Sequence, residues 1–237
     1  MKITGFIFAA GLGTRLYPLT ADRPKALVKY NNKTLLDNVL EKMFESGITD
    51  IIVNIHHFPD LMLDALRAHP LADRIRISDE RAYLRDTAGG LKFAEPLWDQ
   101  SDLLLIHNVD ILSDINLRKL IEHHISGNAE ATLAVRHRTT QRYFLFDEAD
   151  RQLCGWRNVK TGDRIVTRPS ENPIDLAFSG IHVLNTRLAR TIPTVEKSSI
   201  TQFYLNRSSS HRICSYTHDD DRWMDVGKYE EFHNLLS

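Results

Sequence analysis

The stretch Ala9-Ala10-Gly11-Leu12-Gly13-Thr14-Arg15-Leu16 decides the fold of the N-terminal half, and Pro24-Lys25-Ala26-Leu27 follows it eight residues on. The apolar run over residues 3–10 predicts a buried strand that ends where the glycines begin. Glycine allows backbone N–H groups to approach an anion closely. Arg15 and Lys25 add fixed positive charge, so we expect this loop to hold the phosphates of a nucleoside triphosphate (NTP).

The spacing of the glycines excludes the two commonest phosphate-binding loops. A P-loop needs Gly-x-x-x-x-Gly-Lys-Ser/Thr, and no Lys follows Gly13. The dinucleotide fingerprint Gly-x-Gly-x-x-Gly also fails, because Leu16 occupies the third glycine position. The loop therefore predicts a different class of nucleotide site.

Composition favours a small-molecule partner. The 237 residues carry 30 basic and 31 acidic side chains, a net charge of −1, so we expect neither a nucleic acid nor a membrane surface as partner. Cys154 and Cys214 lack the spacing of a zinc site or a disulfide framework. The first apolar run is too short for a signal peptide or a membrane span, and we expect a cytoplasmic protein.

Strand and helix patterns alternate through the first half of the chain, which predicts an α/β fold with parallel strands and crossover helices. The most apolar strand covers residues 103–107 and directs Asp110 out of its carboxyl end, on the same rim as Gly11. We interpret residues 1–237 as one domain with two halves, 1–115, which carries the glycine loop, and 116–237. Residues 156–173 predict a loop or lid, and residues 228–236 a closing helix.

These features resemble the sugar-1-phosphate nucleotidyltransferases, whose signature is Gly-x-Gly-Thr-Arg followed by Pro-Lys. The resemblance covers nearly the whole chain, because later blocks recur in the family's order: Asp86-Thr87-Ala88-Gly89-Gly90, Asn108-Val109-Asp110, Phe178-Ser179-Gly180-Ile181 and Trp223-Met224-Asp225-Val226-Gly227. It implies a GT-A-like, Rossmann-like mixed sheet, mostly parallel and flanked by helices, with a nucleotide-binding half, 1–115, and a sugar-phosphate-binding half, 116–237. The compact N-acetylmuramate-1-phosphate uridylyltransferases and mannose-1-phosphate guanylyltransferases are the most similar members.

The resemblance also implies a catalytic set of Arg15, Lys25 and Asp110. Arg15 would hold the β- and γ-phosphates, and Lys25 would neutralise charge on the α-phosphate. Asp110 and Asp225 match the two aspartates that bind Mg²⁺ in the family, and oxygen ligands suit that cation. Val109 replaces the glycine that usually precedes the first aspartate, and its β-branched side chain restricts the local backbone.

Other positions are implied to line the substrates. The expected nucleotide contacts lie in the first loop and near the later glycine pair: Ala10, Gly11, Gly13, Thr14, Glu80, Gly89 and Gly90. On the sugar side we expect Gly180 and Glu171. Relatives often carry a Lys beside that Glu, but Asn172 stands here, so Arg168, with Lys160 behind it, is the expected substitute for the missing charge.

The resulting hypothesis is an enzyme that converts an NTP and a sugar 1-phosphate into an NDP-sugar and pyrophosphate by Mg²⁺-assisted in-line displacement, for cell-envelope or polysaccharide precursors. Two alternatives stay open: an enzyme similar to phosphocholine cytidylyltransferases, and a non-catalytic nucleotide-sensing homologue. An aromatic cage would favour the first. The sequence leaves open the nucleobase, the sugar and the oligomeric state.

Overall fold

The computed structural model describes residues 1–194, 197–227 and 232. Its strands are β1 (Ile3–Phe8), β2 (Lys29–Tyr30), β3 (Lys33–Thr34), β4 (Ile51–Ile55), β5 (Ile75–Asp79), β6 (Leu103–Asn108), β7 (Ile111–Ser113), β8 (Ala131–Arg136), β9 (Arg142–Asp147), β10 (Leu153–Asn158), β11 (Arg164–Val166), β12 (Pro173–Asn185), β13 (Ile213–Thr217) and β14 (Trp223–Asp225).

The α-helices of the described residues are α1 (Leu35–Glu45), α2 (Pro59–Ala68), α3 (Asp86–Phe93), α4 (Glu95–Trp98), α5 (Leu117–Ser126), α6 (Thr186–Ala189) and α7 (Ile200–Arg207). None of these helices has the length and apolar character that crossing a bilayer requires.

The central sheet of the described chain follows the order β11-β10-β9-β12-β6-β1-β4-β5, with β8 beside β12 and β13 beside β8. Strands β6, β1, β4 and β5 run parallel to one another. Strand β12 joins them in the antiparallel direction and links the two halves of the chain. The predicted mixed sheet flanked by helices in a single domain is therefore confirmed.

Side chains alternate across the sheet and build a core on each face. Ile7 and Val53 belong to the core under α1 and α2, while Phe6 and Ile52 belong to the core under α3 and α7. The strands are thus buried on both faces, which is why they appear in the sequence as continuous apolar runs. Helix α1 starts at a capping box in which Thr34 accepts a hydrogen bond from the backbone N–H of Asp37.

The predicted loop over residues 156–173 is wrong in part. Strand β10 extends to Asn158, and β11 pairs with it in an antiparallel hairpin at the edge of the sheet. Arg157 and Arg164 face each other there, and all of β11 is exposed. Charged residues are common on edge strands because one side faces water, so the composition typical of a loop also fits this hairpin. The predicted helix 228–236 lies outside the described residues, apart from Phe232.

The register of the strands brings three segments to one rim of the sheet. Phe8, the last residue of β1, lies beside Asn108, the last residue of β6. The short ribbon of β7 and β14 then pairs Ile111 with Asp225. The loop after β1, the segment around Asp110 and the end of β14 therefore meet at the carboxyl ends of the parallel strands, where ligands bind in open α/β sheets.

Candidate functional site

The loop after β1 is held in a fixed turn. Gly13 has a φ of 68°, in the left-handed region that favours glycine, and its carbonyl accepts a hydrogen bond from the Thr20 hydroxyl at 3.0 Å. Thr14 and Arg15 follow in a single 3-10 turn. A Cβ on Gly11 would lie 3.3 Å from Cε of Lys25, so the absence of a side chain there lets the lysine pass closely over the loop.

Two cations and two carboxylates converge at this rim. The Lys25 ammonium lies 2.6 Å from Oδ2 of Asp110, and the side chains are only 14% and 10% exposed. A Cβ on Gly227 would lie 2.7 Å from Oδ2 of Asp110, 2.8 Å from Oδ1 of Asp225 and 3.2 Å from Nη2 of Arg15. The structure thus brings together the four charged residues that the sequence singled out, and a glycine leaves the space among them open.

The charge of Asp110 depends on its neighbours. Burial by itself would raise the pKa of this carboxyl, but the charge and hydrogen bond of Lys25, with a further contribution from Arg15, hold the pKa below its ordinary value. Asp110 is therefore an anion at neutral pH. Because Asp110 is ionised, it can pair with Lys25 or, in its place, with another cation that enters the site.

Val109 leaves this geometry undisturbed. Its side chain is fully buried in the core, and its backbone N–H donates to the carbonyl of Phe8. The residue that departs from the family pattern therefore faces away from the charged group, while Asp110 beside it faces the rim.

Glu80, with Gly90 packed against it, stabilises the start of the loop after β1 through Asn54. Glu80 is 2% exposed and accepts a hydrogen bond from the Asn54 amide, whose oxygen accepts from the backbone N–H groups of Ala9 and Ala10. A Cβ on Gly90 would lie 2.6 Å from the Glu80 carboxylate, so only glycine permits this approach. Burial raises the pKa of Glu80. No sequence pattern marks Asn54, because its hydrogen-bond partners Glu80 and Ala9 are 26 and 45 residues away along the chain.

A cavity of about 380 Å³ opens beside the charged group. Its lining includes Ala10, Gly11, Arg15, Lys25, Asp86, Asn108, Asp110 and Lys197. A larger groove of about 830 Å³ lies between α1 and the β7–β14 ribbon, but Arg15, Lys25 and Asp110 do not line it. We assign the chemistry to the smaller cavity because anionic phosphates need the cations found there.

Gly180 marks the other wall of the site. Its φ is 75°, and a Cβ would lie 2.8 Å from the Asn108 amide, so β12 bulges and touches the end of β6 only because this residue is glycine. The Trp223 indole donates to the carbonyl of Ser179 at 2.9 Å. Arg138 lies over the Trp223 ring, 4.4 Å from its centroid. No local pattern marks Arg138, because its neighbours lie on two distant strands, β12 and β14.

Three further predicted residues, Gly89, Arg168 and Glu171, have other partners or are exposed in the described structure. Gly89 donates its N–H to the carbonyl of Ser198. Arg168 forms an ion pair with Asp150 at 2.5 Å, and this pairing raises the pKa of the arginine. Glu171 is exposed in the segment before β12. The structure therefore does not join Arg168 to the group around Gly227.

Comparison with known proteins places the chain among nucleotidyltransferases. A mannose-1-phosphate guanyltransferase of Yarrowia lipolytica is 30% identical over 237 residues, which are 96% of this chain and 61% of that relative. The chain thus spans less than two thirds of that relative's length. An N-acetylmuramate α-1-phosphate uridylyltransferase of Caulobacter vibrioides is 28% identical, across 93% of this chain and 90% of the relative.

A solved structure shares the fold of this chain, and a family model matches nearly all of its length. A candidate glucose-1-phosphate thymidylyltransferase from Bacillus anthracis superposes with a TM-score of 0.77 over 98% of this chain and 93% of that chain. At 17% identity this likeness shows the fold. The nucleotidyl transferase model matches residues 4–237, and the chain therefore belongs to the nucleotidyl transferase family.

Proposed function

We propose that the chain transfers a nucleotidyl group from an NTP to a sugar 1-phosphate, giving an NDP-sugar and pyrophosphate. The convergence of two cations and two carboxylates around Gly227 carries the proposal. The names of the relatives, which act on mannose 1-phosphate and N-acetylmuramate 1-phosphate, support the choice of acceptor. The product would supply cell-envelope or polysaccharide synthesis in the cytoplasm, where NTPs are made.

The chemistry requires positioning and charge neutralisation. An oxygen of the sugar phosphate attacks the α-phosphorus, and the bond to the β-phosphate breaks as its electron pair leaves with pyrophosphate. The nucleophile is already an anion, so no general base is needed. This agrees with a site built from Arg15, Lys25 and carboxylates.

Lys25 has two partners in this mechanism. In the described structure its ammonium binds Asp110, which keeps both charges satisfied in a nearly buried site. With an NTP bound, we propose that the ammonium moves to the α-phosphate while Arg15 holds the β- and γ-phosphates. The new ion pair with the α-phosphate offsets the loss of the ion pair between Lys25 and Asp110.

We propose that Asp110 and Asp225 hold Mg²⁺. An oxygen of each carboxylate lies close to the same side of Gly227, within 2.7 and 2.8 Å of where its Cβ would be, so the two carboxylates are near neighbours and offer the oxygen ligands that Mg²⁺ prefers. Within the described residues, three or more His, Cys, Asp or Glu side chains nowhere cluster as a metal site. Substrate phosphates and water would complete the coordination of Mg²⁺, which usually keeps several waters in proteins. When bound, the ion neutralises charge on the departing pyrophosphate.

Arg168 is our proposed contact for the sugar phosphate. Its guanidinium already binds a carboxylate, Asp150, through two nitrogens. A phosphate offers the same bidentate geometry with more charge, so substrate can replace Asp150 as partner. Glu171 and the Gly180 backbone would contact sugar hydroxyls.

A pyrophosphate-release screen tests the function. Purified protein is combined with each of four NTPs and dTTP, a panel of sugar 1-phosphates, phosphocholine as an alternative acceptor, and Mg²⁺, with Asp110→Asn as the matched inactive control. We expect release with at least one pair and its loss in the control. Release with phosphocholine and CTP alone, or with no pair although an NTP binds, would contradict the proposal.

The choline alternative gains no support from the aromatic residues near Gly180. A quaternary ammonium needs open ring faces, and Arg138 already covers a face of Trp223. A non-catalytic homologue is also less well supported, because Arg15, Lys25, Asp110 and Asp225 are all in place.

A further inference from the structure

Asp86, the first residue of α3, has an unusual backbone. Its φ is 61°, in the left-handed region that glycine adopts freely and other residues adopt at a cost. Among the described non-glycine residues with positive φ, only Asp86 lines the cavity that also contains Arg15 and Lys25. Aspartate is one of the few non-glycine residues that tolerate this conformation, but glycine or asparagine would fit it as well, so the turn alone does not require a carboxylate.

The carboxylate of Asp86 is held in a defined orientation. Its Oδ1 accepts hydrogen bonds from the backbone N–H of Thr87 at 2.7 Å and from the Thr87 hydroxyl at 3.3 Å. The same hydroxyl accepts from the backbone N–H of Ile200 at 2.8 Å, which ties it to the start of α7. Asp86 itself is exposed, so an anchored carboxylate faces the open cavity.

The start of α3 is not arranged to hold phosphate. The N–H groups of Ala88 and Gly89 donate to the carbonyl of Ser198 at 2.9 and 3.2 Å, and that of Thr87 donates to Asp86. Helix N–H groups that bind anions need to be directed at the ligand, and these three have protein acceptors. The Asp86 charge also repels phosphate.

The lining of the cavity carries charges of both signs. Arg15, Lys25 and Lys197 attract phosphate, whereas the carboxylates of Asp86 and Asp110 repel it. An NTP whose phosphates bind Arg15 and Lys25 leaves its uncharged nucleoside to contact other parts of the lining, which include Asp86. A carboxylate only accepts hydrogen bonds, so it pairs with O–H or N–H groups.

We propose that Asp86 is a specificity residue that accepts hydrogen bonds from donors of the nucleoside, and thereby selects which nucleotide the site binds. The inference rests on the proposed function, since it takes an NTP as the ligand. The donors are either the ribose hydroxyls or the N–H groups of the base, and both pair with a carboxylate in the same way.

The test uses Asp86→Asn and Asp86→Gly. Both replacements tolerate the left-handed backbone, so they remove the charge without adding strain, whereas alanine would do both. Asp64→Asn is the matched control, because it removes the same charge from an exposed position on α2 outside the cavity. Calorimetric titrations with Mg²⁺ give the Kd of four ribonucleoside triphosphates and of the 2′- and 3′-deoxy forms of the tightest one.

We expect both variants, but not the control, to bind the preferred NTP at least about tenfold more weakly, the effect of losing a charge-assisted hydrogen bond. Loss of the preference for ribose over the deoxy forms identifies the hydroxyls as the donors, and loss of the preference among bases identifies the base. The inference is overturned if the ratios of Kd values, both among the four bases and between the ribose and deoxy forms, are the same in the variants as in the wild type.

The parallel pyrophosphate assay separates this inference from the proposed function. Wild-type protein that binds an NTP selectively through Asp86 but releases no pyrophosphate refutes the function and leaves the inference standing. Wild-type protein that binds none of the nucleotides refutes both.

Discussion

Gly227→Ala tests whether the space among the charged groups is the working part of the site. The added methyl would lie 2.7 Å from Oδ2 of Asp110 and 2.8 Å from Oδ1 of Asp225, closer than real Cβ contacts. Gly227 does not have a positive φ, so alanine fits the backbone there. The change therefore crowds the two carboxylates proposed to hold Mg²⁺ and leaves the chain's conformation unaltered.

The distances set the size of the effect. Restoring an ordinary contact of about 3.4 Å moves each carboxylate oxygen by about 0.6 Å. These oxygens are at the ends of side chains that can shift, so the free energy of unfolding should fall by no more than about 1 kcal/mol. Catalysis is less tolerant, because misplacement by about 1 Å costs about 100-fold in rate. We expect kcat to fall about 10- to 100-fold.

Gly162→Ala is a control with the opposite expected effect, a loss of stability without a loss of turnover. Its φ is 78° and nothing lies within 4 Å of the added methyl, so the variant should lose about 1 kcal/mol of stability to backbone strain while keeping its turnover. Pyrophosphate release and urea unfolding measure both quantities for each variant. A Gly227→Ala enzyme with turnover within about threefold of wild type would refute the reasoning, as the predicted loss starts at about tenfold.

Asp110→Asn should keep the fold and lower turnover at least about 100-fold, which initial rates at limiting Mg²⁺ measure; a near-normal rate would remove Asp110 from the metal site. Arg15→Ala should weaken the use of NTP and, in the reverse reaction, of pyrophosphate, whereas Lys25→Ala should mainly lower kcat. Equal, small effects of both substitutions on binding would mean that the two residues provide only general positive charge at the rim. Arg168→Ala should raise the KM for sugar 1-phosphate and leave that for NTP almost unchanged, and a defect on the NTP side would contradict its role. His182→Phe should reduce the loss of stability in acid, measured by urea unfolding from pH 7 to pH 4.5.

The sign of the His182 effect follows from its burial. Both ring nitrogens are buried and have no hydrogen-bond partner among the residues that the structure describes, and burial lowers the pKa to about 3 from an ordinary 6.5. Below pH 6.5 the unfolded chain takes up a proton that the folded protein refuses, so stability falls as the pH drops from 6.5 toward 3. At pH 4.5 this amounts to about 3 kcal/mol. The exposed His123→Gln is the control, and an equal change in both variants would contradict the assignment.

Local sequence patterns predicted much of the fold. Apolar runs marked β1 and β6, and the periodic positions of α1 marked its buried face, because a strand or helix must bury the side chains that its period places together. The edge hairpin of β10 and β11 escaped prediction, since exposed charged residues are equally common in loops. Its strands exist because they pair with each other and with β9.

By itself, the sequence determined which chemical groups the rim would carry: a glycine loop, Arg15 and Lys25 near one strand end, and Asp110 at another. The tertiary structure decided how those groups meet. Lys25 pairs with Asp110 across 85 residues, and Gly227 opens the space between carboxylates, because strand register sets those distances. Only the fold could pair Arg168 with Asp150, since contacts between distant segments leave no periodic trace along the chain.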